Sequence, residues 1–208
     1  MKKLLVFDYD GVIADSLDLL WEFFDKTNKK YKFFTFKNKY EFTTLWDKNM
    51  FEMPTKLGVS KEDFIKFYNE WVNLLILNND RMKPFDGLKP ILEKLNQNNY
   101  LIIISSNDDK IISDFLKRNE LTDYFTSIYG TEWGISKKIK LEMALKELKI
   151  SKGLTYFITD TIGDLKELKS FGIRTVAVTW GYHDKEKLEK AKPDFIFETP
   201  DELLELFL

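Results

Sequence analysis

Leu4-Leu5-Val6-Phe7-Asp8-Tyr9-Asp10-Gly11-Val12-Ile13-Ala14-Asp15-Ser16 stands near the start of the chain, and its reading decides the rest. An apolar run this short reads as a buried strand, and it stops at two carboxylates one residue apart. A glycine follows, which lets the backbone turn sharply. In an open parallel sheet the carboxyl ends of the strands are where loops splay apart and ligands bind. A pair of acids at such an end points to chemistry.

Working outward, Leu17, Leu20, Trp21 and Phe24 recur at i, i+3, i+4 and i+7, the stripe of an amphipathic helix for which Ser16 is a suitable N-cap. Residues 31–57 are crowded with aromatics and lysines and lack strand alternation, so short helices and loops are expected there. Ser60-Lys61-Glu62-Asp63 resembles a variant capping box, opening a helix whose Phe64, Phe67, Tyr68, Trp71 and Leu75 share a face. Residues 16–82 thus read as all-helical. At Pro84-Phe85-Asp86-Gly87 the pattern changes to alternating strand and helix. Strands are expected at residues 100–104, 127–129, 155–159, 174–178 and 195–197. Between them, one helix starts near Leu88, one turns Ile112, Phe115 and Leu116 inward, and one is capped by Ser136 and marked by Leu141, Ala144, Leu145 and Leu148. Another runs to Phe171 with Gly172 as its C-cap, and Thr199-Pro200 starts a terminal helix. The expected fold is α/β: a Rossmann-like parallel sheet in a core of residues 1–15 and 83–208, with an all-helical domain, residues 16–82, inserted after the first strand.

The 208 residues carry 32 basic and 34 acidic side chains, so no field of one sign recruits nucleic acid or an anionic membrane surface. A small-molecule partner is expected. The absence of cysteine excludes disulfides, thiolate metal sites and a thiol nucleophile, and fits a reducing compartment. Lys2 and Lys3 precede an apolar run too short for a signal peptide, and no stretch approaches the roughly 20 apolar residues of a membrane helix. A cytoplasmic location is therefore expected; nothing in the sequence fixes an oligomeric state. Arginine is confined to Arg81, Arg118 and Arg174, so a cation in a phosphate site should be lysine or metal.

Three apolar strands end in polar residues: Asp8 and Asp10, then Ser105 with its neighbours, then Asp160 followed by Asp164. In a parallel sheet these ends meet, and four carboxylates in one small volume need a cation. Oxygen-only ligands with no histidine nearby suit Mg2+, which accepts one or two carboxylates and keeps waters or substrate phosphate. A lysine from Ser136-Lys137-Lys138 would supply further positive charge. Phosphoryl transfer is mostly positioning and charge neutralisation, and these parts suffice for it.

Asp8-Tyr9-Asp10-Gly11-Val12, Ile104-Ser105-Ser106-Asn107, Lys137 and Thr159-Asp160-Thr161-Ile162-Gly163-Asp164 together resemble the four sequential motifs of the haloacid-dehalogenase-like hydrolase superfamily, and the opening stretch its phosphoglycolate-phosphatase and β-phosphoglucomutase branch. The resemblance implies Asp8 as nucleophile, taking the phosphoryl group as an aspartyl phosphate, and Asp10 as the acid for the leaving alcohol and then the base for water. It implies that Ser105, with Ser106 and Asn107, binds phosphate oxygens and that Lys137 neutralises them. Asp160 would ligate Mg2+ with Asp8 and the main-chain carbonyl of Asp10, Asp164 would orient the ligands, and residues 16–82 would be the family's helical cap. Two departures are visible: Thr159 stands where glycine is common, and the lysine lacks a following proline, which leaves Lys138 as an alternative.

The implied function is Mg2+-dependent hydrolysis of a small phosphomonoester, phosphoglycolate-like or sugar-phosphate-like. A phosphomutase of the β-phosphoglucomutase kind is an alternative, but such enzymes carry a histidine in the first cap helix where this chain has Leu20. Dehalogenation lacks the second aspartate that is present as Asp10. A catalytically silent ligand-binding relative has no need of Asp8, Asp10, Lys137 and Asp160 together. His183, the only histidine, reads as a loop or N-cap residue; Trp46, Lys48 and Asn49 fall in the part of the cap where specificity would sit, and Lys185 to Lys192 as a solvated helix face.

Overall fold

The computed structural model describes residues 2–47, 56, 58–131 and 135–207. In chain order, β1 is Leu4–Phe7, β2 Ala14–Asp15, α1 Leu17–Tyr31, α2 Lys39–Phe42, α3 Lys61–Leu77 and β3 Lys83–Pro84. Then follow α4 Leu88–Asn98, β4 Tyr100–Ile104, α5 Asp109–Arg118, β5 Ser127–Tyr129, α6 Lys137–Leu148 and β6 Thr155–Thr159. The chain closes with α7 Ile162–Leu168, β7 Arg174–Val178, α8 Lys185–Glu189, β8 Phe195–Phe197 and α9 Glu202–Phe207. Among the described residues no helix is long and apolar enough to cross a membrane.

Six strands form one parallel sheet in the order β5-β4-β1-β6-β7-β8. All four residues of β1 are fully buried, as a central strand covered on both faces must be. On one face Leu4 and Val6 pack with Ile102, Ile104, Leu141, Ala144 and Phe157; on the other Leu5 and Phe7 pack with Leu92, Leu95, Ile103 and Ile158. The register sets Phe7 beside Ile103 on one neighbour and beside Ile158 on the other, so Asp8, Ser105 and Asp160 leave the sheet at one edge. The chain runs outward through β4 and β5 and then crosses back to β6, which makes the β1–β6 crevice the point where strand order reverses.

Every element described between β2 and β3 is an α-helix or a 3-10 turn, joined by loops such as residues 32–38. Ser60 caps α3, its hydroxyl accepting from the Asp63 amide and donating to the Asp63 carboxylate rather than closing a reciprocal box, and the five apolar residues named for α3 are all buried. Phe24 packs against Phe42 at 4.5 Å and edge-on to Phe67 and Trp71, and the Trp71 indole donates to the Leu20 carbonyl at 3.2 Å. The five-residue 3-10 turn Thr43–Asp47 follows α2 directly.

Three details differ from expectation. Ser16 precedes α1 but does not cap it, because its hydroxyl is drawn to Asp10 and Tyr182. The buried face of α1 is broader than the expected stripe: Leu19, Leu20, Phe23 and Phe24 are buried, while Leu17 and Trp21 are half-buried against the same core. The terminal helix begins at Glu202 rather than Pro200, since the Glu202 carboxylate turns back to the amides of Glu198 and Thr199 and holds them in a bend. The antiparallel ribbon of β2 and β3, where the helical segment leaves and rejoins the sheet, is too short to register as an alternating pattern.

Candidate active site

Asp8 is 6% exposed, and each of its oxygens has a partner: Oδ1 accepts from the Tyr9 amide at 2.8 Å and Oδ2 from Lys137 Nζ at 2.7 Å. Lys137 lies in the first turn of α6 and also donates to Asp164 Oδ2 at 2.7 Å, where the Thr159 hydroxyl adds a bond at 2.8 Å. One ammonium is thus shared by the buried carboxylate of Asp8 and the half-buried one of Asp164. Burial pushes the Asp8 carboxyl well up, against the pull of Lys137 and with the help of Asp164 and Asp160. Asp164 is penalised by burial too, yet Lys137 and its hydrogen bonds hold it below the ordinary range.

Asp10 lies beyond the strand end, in a tight loop closed by bonds from the Ile13 and Ala14 amides to the Tyr9 carbonyl. Its Oδ1 accepts from Ser16 Oγ at 2.7 Å and its Oδ2 from Asn107 Nδ2 at 2.8 Å. Ser16 Oγ also bonds the Tyr182 hydroxyl at 2.7 Å. Burial raises the Asp10 carboxyl although both hydrogen bonds oppose it. A carboxyl raised in this way, with both oxygens held in place, suits proton transfer.

Asp160 is fully buried at the end of β6. Its Oδ2 accepts from the Tyr182 amide at 2.7 Å, whereas its Oδ1 is buried without a hydrogen-bond partner. Burial pushes its carboxyl up to about 7. The surroundings are shaped to admit it closely: Gly11, at φ +75°, and Gly181 both stand where a Cβ would overlap Asp160 Oδ2. Among the described residues no group of three or more acidic, histidine or cysteine side chains encloses a metal. Asp8, Asp160 and a main-chain carbonyl are a smaller set, which suits an ion that keeps several waters. The unpartnered Asp160 oxygen and the two carboxyls raised by burial are the features a divalent cation would relieve.

Ser105 is buried and accepts from the Asn107 amide through its Oγ at 3.0 Å, which folds the end of β4 into a tight turn; Ser106 is exposed. Of the two lysine alternatives, Lys137 faces the carboxylates. Lys138 faces away, its amide donating to Glu167 at 3.0 Å and its ammonium lying 5.8 Å from the Phe171 ring.

His183 is buried and bonds to the chain on both sides: Nδ1 accepts from the Ile162 amide at 3.0 Å, and Nε2 faces the Thr43 carbonyl at 3.2 Å and Asp47 at 3.3 Å. It braces the start of α7 against the helical segment and contacts none of the catalytic candidates. Trp46 stands nearby, its ring 4.9 Å from Tyr182 and its carbonyl against Gly163. Lys48 and Asn49 lie outside the described residues.

Two participants escaped the sequence. Tyr182, which supplies an amide to Asp160 and a hydroxyl to Ser16, had no signal beyond lying beside the histidine. Lys140, buried with its ammonium on the carbonyls of Ser105 and Gly130, did have one. The register that turns Leu141 and Ala144 inward places Lys137 and Lys140 on the same stripe of α6 and Lys138 off it.

The sequence model of the haloacid dehalogenase-like hydrolases matches residues 5–178. A phosphoglycolate phosphatase of Synechococcus elongatus is 29% identical over 125 residues, 60% of this chain and 59% of its own length. The chain therefore spans less than two thirds of that relative. The pyrophosphatase PpaX of Listeria monocytogenes is 24% identical over 205 residues, covering 96% of this chain and 94% of its own. Among solved structures, a haloacid dehalogenase-like family hydrolase from Streptococcus pneumoniae superposes with a TM-score of 0.85 at 22% identity, covering 100% of this chain and 99% of its own, a likeness of fold.

Proposed function

The chain belongs to the haloacid dehalogenase-like hydrolase family, and from that premise we propose that it is a Mg2+-dependent phosphatase of a small phosphomonoester, acting through an aspartyl phosphate on Asp8. The observation that carries this reading is Lys137, whose buried ammonium bridges Asp8 and Asp164 beside the unpartnered oxygen of Asp160. It is a charge arrangement that a phosphate and a divalent cation complete.

In the first half-reaction an Asp8 carboxylate oxygen attacks phosphorus. The bond from phosphorus to the ester oxygen breaks, and that oxygen leaves with the proton of Asp10. In the second half-reaction Asp10, now a carboxylate, takes a proton from water. The water oxygen attacks phosphorus, the bond to Asp8 breaks, and both aspartates return to their starting states with phosphate released. Ser16 and Asn107 hold the two oxygens of Asp10 for this double role. Lys137 offsets charge on the phosphoryl oxygens, and Asp164 with Thr159 fixes where its ammonium lies. Asp8, Asp160 and the Asp10 carbonyl would hold Mg2+, whose contribution is further neutralisation of the phosphoryl group. Residues 16–82 serve as the cap, and the contacts of Trp46 with Tyr182 and Gly163 set it close to this pocket.

A second reading, hydrolysis of a phosphoanhydride, is favoured by the near full-length match to the pyrophosphatase. A panel holding phosphoglycolate, sugar phosphates, nucleotides and inorganic pyrophosphate, assayed with and without Mg2+, separates the two. Preference for pyrophosphate selects the second reading; metal-dependent release from an ester selects the first.

A further inference from the structure

Lys137 and Lys140 project from one face of α6 a turn apart, and they reach different strands. Lys137 goes to the end of β1. Lys140, 5% exposed, goes to the ends of β4 and β5, where its ammonium donates to the Ser105 carbonyl at 2.7 Å and to the Gly130 carbonyl. Burying an ammonium is costly unless it is well hydrogen-bonded, and an apolar side chain would fill the same helix stripe without that cost.

What the charge fixes is a peptide plane. Among the described residues there are no cis peptide bonds, so holding the Ser105 carbonyl toward α6 turns the Ser106 N–H to the opposite side. That N–H donates to no protein group among the described residues. On its far side the loop is tied as well: the Asn107 amide donates to Ser105 Oγ at 3.0 Å, the Asn107 carbonyl accepts from Thr131 at 2.8 Å, and the Asn107 side chain reaches Asp10.

We propose that Lys140 is a positioning residue for phosphate recognition: without touching substrate, its ammonium holds the Ser105 carbonyl so that the Ser106 N–H is presented to the phosphoryl group at Asp8. The proposal rests on the reading of this pocket as a phosphate site. It differs from simple anchoring of a helix to a loop, because anchoring affects folding stability and leaves ligand affinity alone.

The test uses inorganic phosphate with Mg2+ as probe, on the wild-type chain and on Lys140→Met and Lys140→Arg. Calorimetric affinity is read beside melting temperature, and the Ser106 amide resonance is followed during phosphate titration. The expected results are a Ser106 amide that shifts in the wild type and phosphate binding about tenfold weaker in Lys140→Met, equivalent to about 1.4 kcal/mol. KM for the ester should rise in parallel with a smaller change in kcat, and Lys140→Arg should recover binding to within about threefold of wild type. A folded Lys140→Met that binds phosphate within twofold of wild type overturns the role of Lys140 alone. If that variant does not fold, a wild-type Ser106 amide that phosphate leaves unmoved overturns it instead. A wild-type chain that binds no phosphate overturns the phosphate-site reading and this proposal together.

Discussion

Asp8 is held by the Tyr9 amide and by Lys137, and asparagine can keep the shape and the second of these contacts while losing the nucleophilic oxygen. Asp8→Asn should therefore lower kcat by at least about a thousandfold with little change in melting temperature, and residual turnover above a tenth of wild type would argue against Asp8 as nucleophile. Gly11 makes a different kind of contribution, since it combines φ +75° with a Cβ position that overlaps Asp160 Oδ2. Gly11→Ala should cost about 2 kcal/mol or more in denaturant unfolding, from strain in the left-handed region and from displacing Asp160. An unfolding midpoint equal to that of wild type would contradict the close packing described. Residues at strand ends were legible because an apolar run stopping at an acid is a local pattern, as at Asp8 and Asp160. Ser16 was legible only as a helix cap. Its bond to Asp10 competes with capping, and its partner Tyr182 lies far along the chain, out of reach of any local pattern.

Between elements, His183 joins α7 to the 3-10 turn of the inserted segment, and the groups around it are Ile162, Thr43, Asp47, Asp184 and Lys187, the last pairing with Asp47 at 2.5 Å. Because Nδ1 accepts from the Ile162 amide, the ring is neutral with its proton on Nε2, facing the Thr43 carbonyl. Burial, with Lys187 nearby, lowers its pKa below the ordinary 6.5, against the pull of Thr43, Asp47 and Asp184. Between the lowered folded value and about 6.5 the unfolded chain binds more protons, so stability rises with pH there and is lost on acidification below about 6.5. Denaturant unfolding of wild type should show this slope and His183→Gln should lack it; identical profiles would remove His183 as the titrating brace. Most elements were readable because their periodicity is local: β4, β5, β6, β7 and β8 match their expected bounds. Residues 31–57 read as short helices and loops, and their described part holds α2, the 3-10 turn and a loop; which aromatics meet was not readable, since Phe34, Phe36 and Phe42 pack on Phe24 of α1 without a single repeating period.

For the whole molecule, the site at the β1–β6 crevice carries an excess of buried carboxylate that Lys137 offsets only in part. Mg2+ should therefore raise the melting temperature, by mass action on the folded state, and Asp160→Asn should abolish the increase. An equal rise in that variant would place the ion elsewhere. The substrate was the least legible property, because a parallel sheet with this edge serves many chemistries. The central claim, metal-dependent phosphate release at Asp8, is tested most directly by incubating the purified wild-type chain with a panel of small phosphomonoesters, with and without Mg2+, and measuring inorganic phosphate. Release from at least one ester that depends on Mg2+ and disappears in Asp8→Asn is the expected result; a folded protein that releases none, or releases it equally well without Mg2+ or without Asp8, would contradict phosphoryl transfer at Asp8.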